Sequence, residues 1–155
     1  MRNMLRRALL AAAMAAVVPL VPARAGEHGT AQEAKTLCEK AGDYLQKVGA
    51  DKAFPAFDDR HGSFVDRDLY VFVRSMDGNT VAHGANMAMI GHTNLNLRDA
   101  DGKLYNKEMI DLATSKGSGW VDYRWFDPLT KKIEQKSSFI ERVGNYVVGV
   151  GFYRP

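Results

Sequence analysis

The chain has 155 residues, 46% of them apolar and 25% charged, the size and balance of one globular domain, which excludes a disordered, collagen-like or multi-pass membrane protein. Its formal charge of +3 misleads about partners: Arg2, Arg6, Arg7 and Arg24 fall in the first 25 residues, which hold no acidic residue, and beyond them 17 basic residues face 18 acidic ones. No basic cluster with interleaved aromatics remains, so nucleic acid is excluded as a partner.

Residues 1–7 carry three arginines, residues 9–21 form an apolar run broken only by Pro19, and Ala23-Arg24-Ala25 is a small-x-small site. This pattern reads as a secretory signal peptide cleaved after Ala25. A run of 13 residues is too short for a bilayer span, which needs about 20. The expected organisation is a signal peptide over 1–25 and one domain over 26–155, periplasmic and without a membrane span after cleavage. Cys38 is the single cysteine, so no internal disulfide can form.

Within the domain, Ala34, Leu37, Ala41, Tyr44 and Val48 follow a 3-4-3-4 spacing that predicts one amphipathic helix over 30–49. Thr30 with Glu33 fits a capping box and Gly49 a stop. Residues 51–66 read as a helical turn and a packed loop. A strand over 69–74 meets a turn at Asp77-Gly78 and returns over 80–83. Residues 84–103 are a loop rich in Asn, Gly and Asp, followed by a helix over 103–116 that ends at Gly117-Ser118-Gly119. Three strands follow, over 120–126, 133–143 and 146–153, joined by Asp127-Pro128-Leu129-Thr130 and by Gly144-Asn145. The last strand is apolar on both faces, which predicts a sheet covered on both sides. The fold class is α+β, one five-stranded antiparallel sheet with a long N-terminal helix and a helix-bearing crossover.

The segments Tyr70-Val-Phe-Val-Arg-Ser-Met-Asp-Gly78, His83-Gly84-Ala-Asn86 with Gly91, Gly119-Trp120-Val-Asp-Tyr123-Arg-Trp125, Lys136-Ser-Ser-Phe139 and Gly149-Val-Gly151 resemble a single Cache domain spanning nearly all of 26–155. The resemblance implies a PAS-like extracytoplasmic fold, with the long helix behind the sheet and a small-ligand pocket on its other face. Such domains usually form the outer part of chemoreceptors or sensor kinases, and many recognise short carboxylates such as acetate, propionate, lactate or pyruvate. The family's Tyr-x-Trp pattern falls on Tyr123 and Trp125, and its Lys-x-Ser-Tyr pattern on Lys136, Ser138 and Phe139, where phenylalanine lacks the hydroxyl. Receptors of this type continue into a membrane span and a signalling module, whereas this sequence ends two residues after Tyr153. A standalone secreted form, working with a membrane sensor or transporter partner, is therefore expected.

Strand alternation puts Val121, Tyr123 and Trp125 on one face and Lys136 with Ser138 on one face of the neighbouring strand. If both sets face the crossover, they form an aromatic cup holding a cation. A carboxylate would pair with Lys136 and accept from Tyr123, while Trp125 covers its apolar tail. Tyr70, Phe72 and Arg74 share a face of the first strand; Tyr70 and Phe72 join the candidate set, while Arg74 at a strand end suits the surface better. His83 and Asn86 stand at the start of the loop, either as ligand contacts or as pins for the loop.

Catalysis, metal and cofactor find little support. Cys38 lies on the apolar stripe of a helix, away from every histidine in sequence, which suits packing rather than nucleophilic attack. No serine stands in a Gly-x-Ser-x-Gly context. The histidines lack close ligand spacing, and Asp99-Ala-Asp101-Gly102 with Glu108 departs from a calcium loop because Leu97 falls at its first ligand position. Gly149 and Gly151 sit inside a strand, where they are expected to admit a neighbouring backbone or the long helix. The expected function is binding of a short organic carboxylate without cofactor, metal or catalysis; the alternative is an accessory protein that keeps the fold without a ligand.

Overall fold

The structure, a computed structural model, describes residues 28–154; the export segment expected over 1–25 lies outside the described residues. Helix α1 (Ala31–Val48) starts on the expected capping box. The Glu33 backbone N–H donates to Thr30 Oγ1 at 3.2 Å, and the Thr30 N–H donates to the Glu33 carboxylate at 2.8 Å, so two of the first unpaired N–H groups of the helix find acceptors. Its buried stripe is Ala34, Cys38, Ala41 and Leu45. Gly49, at φ 79°, turns the chain directly into α2 (Ala50–Asp58).

Helix α2 is more than the single turn the sequence suggested. Pro55 lies inside it and removes one helical hydrogen bond, but Phe57 anchors the helix in an edge-to-face contact with Phe64, ring centres 4.7 Å apart.

The sheet contains β1 (Val65–Asp66), β2 (Leu69–Ser75), β3 (Thr80–His83), β4 (Ser118–Phe126), β5 (Ile133–Val143) and β6 (Tyr146–Arg154). Six strands replace the expected five because β1, two residues long, is too short to show periodicity. The order is β1-β2-β6-β5-β4, with β3 also on β2, all antiparallel.

Alternation then divides the core. Val71 and Val73 of β2, Val148 and Val150 of β6 and Phe139 and Val143 of β5 pack with α1 and α2. Tyr70 and Phe72, Val121 and Tyr123, Ile140 and Val147 face the other way, beneath Tyr105, Met109 and Ala113 of α3 (Tyr105–Lys116). Phe139 therefore sits on the α1 side, against Trp120 at 5.3 Å between ring centres. The hydroxyl it lacks would lie on the face opposite the candidate site.

The strand glycines serve a different approach from the expected one. A methyl group on Gly149 would overlap the Phe72 ring, and one on Gly151 would overlap Ser138 Oγ and the Lys136 stem. It is side chains of adjacent strands, on the face away from α1, that need the space.

Residues 84–104 fold back over this second face. Asn106 of α3 donates to the Asn94 carbonyl at 2.7 Å, and Asn94 donates to Thr80 Oγ1 at 2.9 Å. The Asp99 carboxylate accepts from the backbone N–H groups of Asp101, Lys103 and Arg124 at 2.8 to 3.0 Å, a loop clasp in the segment that resembles part of a calcium loop.

Candidate ligand-binding site

Lys136 of β5 is wholly buried. Its Nζ donates to Tyr70 Oη at 2.7 Å and to Tyr153 Oη at 3.2 Å, and it lies 4.0 and 4.5 Å from the two ring centres. The Tyr153 hydroxyl donates in turn to the Phe126 carbonyl at 2.6 Å. Burial pulls the ammonium down to about 7, against the upward influence of Asp68 and Asp127. The phenols move the other way: burial pushes Tyr70 up to about 12 and raises Tyr153 and Tyr123 as well.

A second cation shares this face. Arg74 is only 3% exposed, so the surface position favoured for it from its place at a strand end is wrong. Arg74 keeps the alternation of Tyr70 and Phe72 on the buried face, paired in unbroken register with β6, and a bulge at Val81 of β3 sets Thr80 opposite it. Arg74 Nη1 donates to Thr80 Oγ1 at 3.0 Å, and the guanidinium lies 5.2 Å from the Phe72 ring centre. Arg74 Nε and Tyr105 Oη are buried without a hydrogen-bond partner among the described residues. Burial lowers the guanidinium's affinity for its proton. Among the described residues neither Arg74 nor Lys136 has a carboxylate at ion-pair distance. A charge buried away from an ion-pair partner is costly to hold in the fold.

The expected aromatic cup exists, with a member the sequence reading omitted. Tyr123 hydrogen-bonds Ser138 at 3.0 Å and stacks on Tyr105 with ring centres 4.5 Å apart and planes 4° from parallel; Trp125 leans on Tyr105 at 5.4 Å. Tyr105 was legible in principle, since it stands four and eight residues before Met109 and Ala113 on the buried side of α3.

A cavity of about 380 Å³ opens above these groups, lined by Tyr70, His83, Asn86 and Trp125, with Arg60 and Lys131 and no acidic residue in its wall. Of the eight expected residues these four line it, while Tyr123, Lys136 and Ser138 lie in the wholly buried layer and Phe72 rests on Gly149. His83 lines the cavity and also pins the loop. Its Nδ1 accepts from the backbone N–H groups of Asn86 at 3.0 Å and Ala85 at 3.3 Å, which pins the loop and leaves the ring proton on Nε2. Burial, Lys136 and Arg74 hold the imidazole down to about 3, so it is neutral at physiological pH. Asn86 is exposed at the rim, and its Oδ1 caps the 3-10 turn Met87–Met89 by accepting from the Ala88 N–H at 3.1 Å.

Larger clefts elsewhere are weaker candidates. The one of about 490 Å³ beside Trp120 is lined by groups that already satisfy one another, Asp122 accepting from Arg154 at 2.9 Å and from Ser137 at 2.6 Å. Cys38 points into the α1 core with Sγ 3.5 Å from the Val148 carbonyl, its thiol pushed up by burial, a packing position with little thiolate.

The sheet thus carries a long helix behind it and a basic, aromatic pocket under the crossover. Residues 63–154 match the family model of the Cache domain, more than half of the sequence, and the chain belongs to that family. The sensor histidine kinase MctS of Rhizobium johnstonii is 39% identical over 90 residues, 56% of this chain and 19% of the kinase; the chain thus corresponds to about a fifth of that relative's length. A solved periplasmic sensor domain of a chemotaxis protein is 27% identical with a TM-score of 0.63, the match covering 80% of this chain and 90% of that one. A Cache chemosensory domain solved for carboxylic acid recognition superposes with a TM-score of 0.67 at 21% identity, over 80% of this chain and 92% of its own, a likeness of fold. Among the described residues no helix is long and apolar enough to cross a membrane.

Proposed function

We propose that this chain is a periplasmic module that binds a short organic carboxylate and acts through a membrane sensor or transporter, its domain over 26–155 released by cleavage after Ala25. The observation that carries this reading is the pair Arg74 and Lys136, both buried on one sheet face with no carboxylate at ion-pair distance among the described residues. A carboxylate drawn in past Arg60 and Lys131 would receive charge-assisted hydrogen bonds from them, and Trp125 and Tyr105 would cover its apolar end. Binding without turnover fits a site whose one thiol lies in the opposite core. The carboxylic acid recognition described for the fold neighbour is of the same chemical kind.

The competing reading, an accessory protein without a ligand, draws on the Tyr105 ring stacked into the cup. A thermal-shift panel of acetate, propionate, lactate, pyruvate and amino acids separates the two. Under the carboxylate reading one class of acid stabilises the protein, by about 2.7 kcal/mol at 100 times its Kd. A flat response across the panel would favour the accessory reading.

A further inference from the structure

Three more groups converge beside Tyr153, the hydrogen-bond partner of Lys136, with the His28 and Tyr153 ring centres 6.5 Å apart. His28, just before α1, places Nδ1 3.1 Å from Asp68 Oδ2 and 3.6 Å from Asp127 Oδ2. Asp68, in the β1–β2 turn, and Asp127, after β4, are both wholly buried. Asp68 Oδ1 also accepts from the Gly29 N–H at 2.6 Å, and Asp127 Oδ1 from the Leu129 N–H at 2.7 Å. Asp127 Oδ2 has no hydrogen-bond partner among the described residues. Tyr153 joins the cluster to the lysine, accepting from Lys136 Nζ and donating to the carbonyl of Phe126, the residue before Asp127.

We infer that Asp68 and Asp127, held in place by His28, are positioning residues of the ligand site that supply the counter-charge keeping Lys136 an ammonium ready for an anion. The inference rests on the carboxylate reading above. The groups around the lysine leave few alternatives. Tyr70 of β2, Tyr153 of β6, Tyr123 of β4 and Tyr105 of α3 are neutral phenols, His83 of β3 is a neutral imidazole, and Arg74 of β2 opposes a second positive charge. Of the charges acting on Lys136, the two aspartates favour its protonation. They act on the ligand only through the lysine, so their removal weakens binding wherever Lys136 loses its proton and spares it where the proton stays.

The test follows the Lys136 side-chain resonance by NMR in lysine-labelled protein, identified by its absence in Lys136→Met, across pH in wild type, Asp127→Asn and Asp68→Asn, with the exposed Asp111→Asn as control. The lysine midpoint should fall by about one unit in each buried variant and stay fixed in the control. Propionate affinity should then drop up to about tenfold at pH 7.5 and remain within about twofold of wild type at pH 5.5. A fixed midpoint, or an equal loss of affinity at both pH values, would overturn the inference. Asp68→Asn decides the matter if Asp127→Asn does not fold. Should propionate and the other short acids fail to bind wild type at any pH, the carboxylate reading falls, and the ligand-free titration alone judges the counter-charge role.

Discussion

With Lys136 lowered from 10.5 to about 7, the folded chain gives up a proton between those values that the unfolded chain keeps. Linkage fixes the sign: the unfolded state binds more protons in that window, so stability rises with pH from about 7 toward 10.5, and the penalty of the buried charge is fully present below about 7. Lys136→Met should remove this rise while leaving the protein at least as stable at pH 7, because an apolar chain of similar length replaces a buried charge. Urea denaturation of both proteins from pH 6 to 9 measures it, with a wild-type gain relative to the variant of up to about 1.4 kcal/mol per unit. Parallel pH profiles would place the lysine in water-like surroundings. His83 runs in a lower window: held to about 3, it contributes stability that is present above about 6.5 and is lost as the pH falls toward 3.

At the scale of elements, β6 is the strand over which the site is built, because its glycines leave room for Phe72 and Lys136 to cross. Gly149→Ala should cost about 1–3 kcal/mol through overpacking against the Phe72 ring, whereas Gly144→Ala at an open turn should cost less and through its positive φ alone. Equal losses at both positions, read from thermal melts, would contradict the close approach. Helix α1 was legible because capping box, spacing and stop agree over one segment, and Cys38 took its place on the stripe with them. Helix α2 was not, since Pro55 argues locally against a helix whose support comes from Phe57 packing on Phe64. Strand β1 has two residues and no pattern to detect. Alternation grouped Tyr123 with Trp125 and Lys136 with Ser138 but left open whether the two pairs share a side of the sheet, and the same rule could not show that Arg74 would be buried or that a bulge would turn Thr80 toward it.

Across the whole molecule the division of labour follows the sheet, with an apolar core against α1 and α2 behind it and cations among aromatic rings in front. The cup was readable because its residues stand in register on adjacent strands. The cluster of His28, Asp68 and Asp127 was not: its members lie before a helix and in two turns, where aspartate reads as turn chemistry, and only the closed fold brings them within reach of one another. The family resemblance supplied the carboxylate, and the two cations buried on one sheet face are the structural feature that bears on it. Isothermal titration of propionate into wild type, Arg74→Met and Lys136→Met at pH 6, with circular dichroism to confirm folding, tests this most directly. The expected result is saturable one-to-one binding to wild type, weakened by about tenfold or more in either variant, as loss of a charge-assisted hydrogen bond implies. Undiminished binding in both folded variants, or no binding of any short carboxylate to folded wild type, would contradict it.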